Sequence, residues 1–423
     1  MIDINLIVEK PDYVKKKLKK RNWDFNPDEI IFLYQERKKI IKIVETNNFK
    51  KNKLSFLASQ HKNDKEKIKE ISILVNKIND ENEINNKKLK EINKKINDSL
   101  MELPNLPDDD LLSGGKENNL VIETYGDKPK FDFKISDHVE IAKKLKLIDY
   151  NRATKISGSG TSIYTGDGAE LEWALINFFI SEHIKNGYKF ILPPHIFNES
   201  SGFGSGQFPK FYDSVFKLEK SNKFLIPTSE TILANFYSNE ILKEKDLPKK
   251  FFAYTPCYRQ EAGSYRTEER GIIRSYQFNK VEIFQFTTKD KSDCAFDEMV
   301  KIVVSLMKKL GLHFRLVKLA AADCSHSMAR TYDVEVYFPS MDIYKEVSSI
   351  SNARDYQARR NNTKYRDCNE KITFCHTLNA SGLATSRVFP AILEQFQQKD
   401  GSVVIPKILQ SFINKKSILK NES

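Results

Sequence analysis

Between residues 258 and 278 the chain reads YRQEAGSYRTEERGIIRSYQF. Two arginines, Arg259 and Arg274, fall at the inner ends of two strand-like runs, with Glu261 beside the first and Phe278 just past the second. Arginine keeps its proton and presents a planar fork of donors that fits a phosphate. Phe278 offers a ring face on which a base can stack, and Glu261 can accept from an exocyclic amine. Cross-strand pairing of Arg with Glu on a solvated sheet face accounts for the same residues without a ligand.

Two later segments add to the set. HTLNASGLATSRVFPAILEQFQQ, residues 376–398, reads as a strand, a small-residue turn and a helix that carries Arg387 in its first turns. Asn379 and Ser381 supply small polar groups where backbone can approach closely. IYKEVSSISNARDYQARR, residues 343–360, sets Glu346 and Ser349 three apart. A carboxylate and a hydroxyl are hard oxygen donors of the kind Mg²⁺ accepts beside nucleotide phosphates. Each piece has an ordinary structural alternative; the ordered set points to chemistry on a nucleotide.

The elements that must hold these residues are legible from about residue 120 to 415. Short alternating runs (YKFILPP, KFLIPTS, FFAYTPCYR, KVEIFQFT, VEVYFPS, KITFCHTL) predict an antiparallel sheet flanked by helices, hence an α+β domain over 119–423. AELEWALINFFISEHIKNGY predicts a helix ending at Gly187 with Leu171, Ala174, Leu175, Phe178 and Ile184 on one face. LPNLPDDDLLSGGKEN, residues 103–118, ends the preceding helix and predicts a linker over 104–118.

Residues 1–103 are different: they lack Gly and hold 24 Lys and Arg against 17 Asp and Glu. Ile68, Ile71, Val75, Ile78, Asn82, Asn85, Leu89, Ile92, Ile96, Ser99 and Leu103 form a heptad seam, with two asparagines that fix register at some cost in stability. Ile30, Leu33, Ile40, Val44, Leu54 and Ala58 repeat the spacing less well, and SQHKNDKE separates the two stripes. An antiparallel helical hairpin over about 28–103 satisfies both, with helices on the order of 50 Å long. Periodicity alone serves an intermolecular coiled coil equally well.

The chain of 423 residues has a formal charge of +12, which suits a polyanionic partner. Its five cysteines are scattered without a C-x-x-C pair, which argues against a disulfide framework or a zinc knuckle. No run approaches eighteen apolar residues and the first residues lack a signal-peptide centre, so the expectation is no membrane and a cytoplasmic location.

The ordered blocks resemble the class II aminoacyl-tRNA synthetases, and among them the bacterial-type seryl-tRNA synthetases. RQEAG…RGIIRSYQF is similar to motif 2 and NASGLATSR to motif 3, while GSGQFPKF, IPTSE, TYDVEVYFPS, EVSSISNARDYQARR and DGSVVIPKIL match family blocks in order. The resemblance covers essentially the whole chain. It implies serine–tRNA ligation by a homodimer: L-serine and ATP give seryl-adenylate and pyrophosphate, then serine passes to the 3′ end of tRNA(Ser). Whether tRNA(Sec) is also charged stays open.

The resemblance also implies residue roles. Arg259 would hold the ATP α-phosphate, Arg387 the γ-phosphate, and Glu346 with Ser349 the Mg²⁺, so that Arg259, Arg387 and Glu346 are the catalytic set. Gln260, Glu261, Arg274, Phe278, Val347 and Ser348 would complete the ATP site, with Phe278 under adenine. Thr228, Ser229, Glu230, Arg259, Glu282, Asn379 and Ser381 would bind serine, and alanine would be rejected because it leaves polar groups unpaired. The basic hairpin over 28–103 would grip tRNA by shape and backbone.

Three positions depart from the family pattern: the turn SYRTEER within motif 2, Gly160 where the family has Arg, and Pro390, which should kink or shorten the motif 3 helix. His326, His376, Trp23 and Trp173 read as structural packing residues, and KKKLKKR as a solvated helix face. Two other classes share these features: a catalytically silent, RNA-binding relative, which would have lost one of Arg259, Glu346, Ser349 or Arg387, and an amino acid:carrier-protein ligase, which would not need the basic arm.

Overall fold

A computed structural model describes residues 1–61, 63–261, 271–414 and 416–420, so the SYRTEER turn lies outside the described residues. The chain divides into two compact units: Ile2–Lys19 with Trp23–Leu103, and Met1, Lys20–Asn22 and Pro104–Ser423.

The first unit is helical. Its long elements are α1, Asp28–Gln60, and α2, Lys65–Glu102. Asp64 caps α2 by accepting from the Lys67 amide. The apolar seam is thin: Ile30, Leu33, Ile40, Ile96 and Leu100 are buried. Midway along the helices it turns polar, where Asn47, Asn82 and Asn85 are buried. Asn47 Nδ2 donates to Asn82 Oδ1 at 3.2 Å, and Asn82 Nδ2 donates to Asn48 Oδ1 at 3.1 Å. These bonds answer groups that hydrocarbon would strand, so a slip in register breaks them.

The second unit is built on an eight-stranded sheet: β1 Leu120–Tyr125, β2 Lys189–Ile191, β3 Lys249–Tyr258, β4 Gln277–Thr287, β5 Phe314–Lys318, β6 Arg330–Phe338, β7 Ile343–Arg354 and β8 His376–Ala384. The order is β1-β5-β6-β7-β8-β4-β3-β2, antiparallel except for the short edge pair β2 and β3. Successive side chains on a strand face opposite ways. Val281 and Ile283 of β4, Val334 and Val336 of β6, and Leu378 and Ala380 of β8 join one apolar core. Their neighbours Glu282, Glu335 and Asn379 line a cavity.

The apolar face is covered by α3, Asp167–Lys185, α4, Ser292–Leu310, and α6, Thr385–Gln395; a short α5, Tyr356–Asn361, follows β7. Phe178, Phe296 and Phe389 are fully buried in that core, each contributing about 1.5–3 kcal/mol. Gly382 lets α3 approach β8, since a Cβ there would stand 2.3 Å from His183 Nε2. Helix α6 runs unbroken through Pro390 and begins directly at the end of β8, without the small-residue turn expected before it. KITFCHTL is two strands, Ile372–Phe374 and β8, parted at Cys375.

Three expectations about side chains do not hold. Ile184 is 54% exposed because thirteen residues beyond Leu171 a helix has turned to another side. Trp173 is 53% exposed and Trp23 37%, so neither is a core residue. In KKKLKKR, Lys17 and Arg21 are buried rather than solvated.

Arg21 has a clear reason. Its Nη1 donates to the carbonyls of Asn105 at 2.9 Å and Met328 at 3.0 Å, and its Nη2 to those of Cys324 at 2.5 Å and Ser325 at 2.8 Å. One guanidinium thus fixes the 324–328 loop. Residues 104–118 are equally tied down: Asn105 Nδ2 donates to Ser327 O and Ala353 O, and Asp108 pairs with Arg330 and Arg354. Replacing Arg21 with Met strands three buried carbonyls, those of Asn105, Met328 and Cys324, so the unfolding midpoint should fall by the equivalent of about 3 kcal/mol. A urea titration of the full chain followed by circular dichroism checks this.

Candidate active site

The polar face of the sheet opens into a cavity of about 1260 Å³. Thr228, Glu230, Arg259, Glu261, Arg274, Glu282, Glu346, Ser349, Asn379, Ser381 and Arg387 all line it. Residues separated by up to 159 positions in the sequence therefore converge on one space.

At one end two carboxylates lie close together, Glu282 buried and Glu230 partly so. Glu282 stands opposite Ser381 on β8 and Ala253 on β3, and its Oε1 accepts from Asn379 Nδ2 at 3.0 Å. Glu230 begins a short helix, Glu230–Leu233, and its Oε1 accepts from Gln357 Nε2 at 2.8 Å. Gln357 on α5 is fully buried and accepts in turn from Thr377 Oγ1 at 2.6 Å, which fixes its amide. Burial and, next, the nearby Glu282 push the Glu230 carboxyl up to about 7; Lys280, Gln357 and Arg259 act against the rise. Lys280 pairs with Glu282. This end suits a small ligand bearing an ammonium and a hydroxyl.

At the other end Glu346 and Ser349 reach the cavity together because β7 bulges. Three apart on a regular strand they would face opposite ways. The register against β6 shifts between Glu346 and Ser348, so that Glu346 pairs with Glu335 and Ser349 with Asp333. Val347 takes up the irregularity and sits in the apolar core. Arg387 Nη1 donates to Glu346 O at 2.6 Å and lies 3.5 Å from Glu346 Oε2. Burial, then Glu346, raises the Asp333 carboxyl well above the usual range, while its hydrogen bond to Ser349 lowers it.

Between the two ends Arg274 pairs with Glu261, and Arg259 places its guanidinium carbon 5.1 Å from the centroid of the Phe278 ring. Arg259 also donates from Nε to Pro227 O at 3.3 Å. Helix α6, which carries Arg387, is held by Glu172 of α3: this buried carboxyl accepts from Thr385 Oγ1 and from Asn279 Nδ2 of β4. Its burial raises it to about 7.

Five expected residues do not line the cavity. Gln260 donates from Nε2 to Val215 O, and Ser229 is fully buried against Thr255. Val347 packs in the core, and Ser348 Oγ donates to Ser381 O. Phe278 lies under Arg259 rather than on the cavity wall. Their side chains support the site from behind. Gly160 answers its departure from the family pattern: φ is +79°, a Cβ would meet the Tyr276 ring at 3.2 Å, and its carbonyl accepts from the Tyr276 amide at 3.1 Å.

Lys280, Gln357, Asp333 and Arg315 also belong to the site, and sequence reasoning passed over them. The alternation in KVE marks Lys280 as facing the same way as the chosen Glu282. Among the described residues no group of three or more His, Cys, Asp or Glu is arranged to hold a metal ion.

Residues 1–107 match the family model described as the seryl-tRNA synthetase N-terminal domain, and residues 215–396 match the class II tRNA synthetase core domain (G, H, P, S and T). Serine–tRNA ligase 2 of Clostridium acetobutylicum is 53% identical over 98% of this chain and 99% of its own length. Serine–tRNA ligase of Macrococcus caseolyticus is 40% identical over 99% and 100%. The crystal structure of seryl-tRNA synthetase from Pyrococcus horikoshii complexed with ATP superposes with a TM-score of 0.92 at 31% identity, covering all of both chains. The chain belongs to the seryl-tRNA synthetases, with a class II synthetase core.

Proposed function

We propose that this chain is an active serine–tRNA ligase: it activates L-serine with ATP and transfers it to tRNA(Ser). The observation that carries the reading is the convergence of Arg259, Arg387, Glu346 and Ser349 on the cavity that also holds Glu230 and Glu282. A silent relative would usually have lost one of these four, and the chain keeps Arg259, Glu346, Ser349 and Arg387, which supports the reading.

In the reaction, Glu230 and Glu282 hold the serine ammonium and hydroxyl with Asn379, Ser381 and Thr228. The serine carboxylate then attacks the α-phosphorus of ATP, the bond to pyrophosphate breaks, and Arg259 answers the charge that grows on the α-phosphate oxygens. Arg387 meets the γ-phosphate. Glu346 and Ser349 fit a hard divalent cation, since the β7 bulge aims both oxygens into the cavity beside Arg387. Such an ion, Mg²⁺ by its donor set, supplies charge neutralisation along the phosphates. No side chain acts as nucleophile. Positioning and preorganised charge carry the step, as expected for phosphoryl and adenylyl chemistry.

The paired arginines are ready for this. Arg387 pairs with Glu346 and Arg274 with Glu261, so both guanidinium groups are oriented toward the cavity that takes the nucleotide. The hairpin of α1 and α2 serves as the tRNA-gripping arm. A homodimer fits the open edge at β2, where Phe190 and Leu192 are exposed beside Trp173 and Ile184 of α3. No described helix is long and apolar enough to cross a membrane.

Three outcomes test this. Arg259→Ala should abolish serine-dependent pyrophosphate exchange while light scattering still reports the wild-type mass; retained exchange overturns the ATP assignment. Removing residues 28–103 and rejoining the ends should leave exchange intact and cut tRNA charging by orders of magnitude, and equal charging would sink the arm's role. Glu230 must be ionised to hold an ammonium. Its carboxyl sits at about 7, so kcat/KM for serine should rise from pH 6 to pH 8 with a midpoint near that value, and Glu230→Gln should flatten the profile.

A further inference from the structure

The reaction assigns no task to Lys280, yet it is 6% exposed inside the pocket. It lies on the same face of β4 as Phe278 and Glu282, one pleat from each. Its Nζ donates to Thr228 Oγ1 at 2.8 Å and pairs with the Glu282 carboxylate. A buried ammonium is costly and persists only where its charge is answered.

Two neighbours are constrained by this contact. Thr228 Oγ1 accepts from Lys280 and, at 3.2 Å, from the Glu230 amide. Both lone pairs are then engaged, so the Thr228 hydroxyl can address a ligand only as a donor. Glu282 is held from two sides, by Asn379 at Oε1 and Lys280 at Oε2, with acceptor capacity left over for a third partner.

The charges tell the same story. Glu230 and Glu282 share one end of the cavity, and a single buried ammonium answers one of them. Arg259, the next cation, is turned toward Pro227 O and the Phe278 ring.

We propose that Lys280 is a positioning residue for serine: its ammonium fixes Thr228 and Glu282 in their receiving geometry and balances one carboxylate, so that the substrate's ammonium balances the other. The inference rests on the assignment of Glu230 and Glu282 to the serine pocket. Arg259 is thereby left for the serine carboxylate and the α-phosphate. A neutral pocket also explains how two carboxylates can stay close without trapping a proton at neutral pH once serine is bound.

The experiment is pyrophosphate exchange without tRNA, titrated separately in serine and ATP, for wild type, Lys280→Met, Lys280→Gln and Glu282→Ala. Lys280→Met should raise the serine KM by on the order of tenfold or more, with the ATP KM moving less than about twofold. Glu230 is faced by Glu282 and Lys280 from β4, Gln357 from α5, and Arg259. Losing the Lys280 charge should therefore move the midpoint of the serine pH profile upward. Lys280→Gln keeps donors for Thr228 and Glu282 but no charge, so it should shift the midpoint equally with a smaller rise in KM, and it carries the test by the same criteria if the Met variant does not fold. An unchanged serine KM with an unchanged midpoint overturns the proposal, as does a parallel rise of both KM values, which marks a merely structural lysine. If Glu282→Ala also leaves the serine KM unchanged, it is the pocket assignment that has failed.

Discussion

Everything in the catalytic unit depends on the register of one antiparallel sheet. Its two faces are chemically opposite: valines, isoleucines and leucines press on helices, and Glu282, Glu335, Asp333, Asn379 and Lys280 face a cavity. A slip by one residue would drive those charges into the core and the valines into water, so the pairing is specified strongly. The helices secure the apolar face, and Glu172 then ties α3, β4 and α6 at one point. Arg387 is thereby placed by the same packing that stabilises the fold. Function here needs no separate scaffold.

Charge is the second constraint. The carboxylates and cations of the cavity occur as pairs, Arg387 with Glu346, Arg274 with Glu261, Arg315 with Glu335 and Lys280 with Glu282, and the last of these is buried on both sides. Removing either member of the buried Lys280–Glu282 pair leaves an uncompensated charge, which is far worse than never having had the pair. Each pair holds its donors in one orientation, so little reorganisation is left when a ligand's charge arrives. Where the pairing is incomplete, at Glu230 and Asp333, the carboxyl rises instead.

How much of this could be read from the sequence follows from the physics of each signal. Alternation of period two is local, so the strands and their polar faces were visible in KVEIFQFT and VEVYFPS. Residue type at a fixed offset is also local, and Arg259, Glu346 and Arg387 stood out. The bulge at Val347 was not visible, because it depends on how β7 meets β6; without it the three-residue spacing of Glu346 and Ser349 argues against a shared site. Arg21 was misread for a similar reason. A run of lysines looks solvated, and only the tertiary fold brings four carbonyls to one guanidinium. Ile184 failed through simple angular drift, and Trp173 because large apolar residues on an outer surface carry no local mark. Lys280 has no mark of its own in the sequence: a lysine two residues from Glu282 reads as ordinary charge balance, and only the fold brings Thr228 and Glu230 to it.

The helical unit applies the opposite logic to the same end. A seam of leucines would bind α1 and α2 more tightly, yet it would tolerate sliding by a heptad, since one apolar layer resembles the next. The buried asparagines do not tolerate it. Asn82 bonds to both Asn47 and Asn48, and any shifted register would leave its amide stranded in the seam. Stability is surrendered for a single alignment. For helices of about 50 Å the alignment has a definite scale: one heptad of slip displaces one helix against the other by about 10 Å. The polar layer lies near the middle of both helices, where it locks the pair against sliding without stiffening the ends.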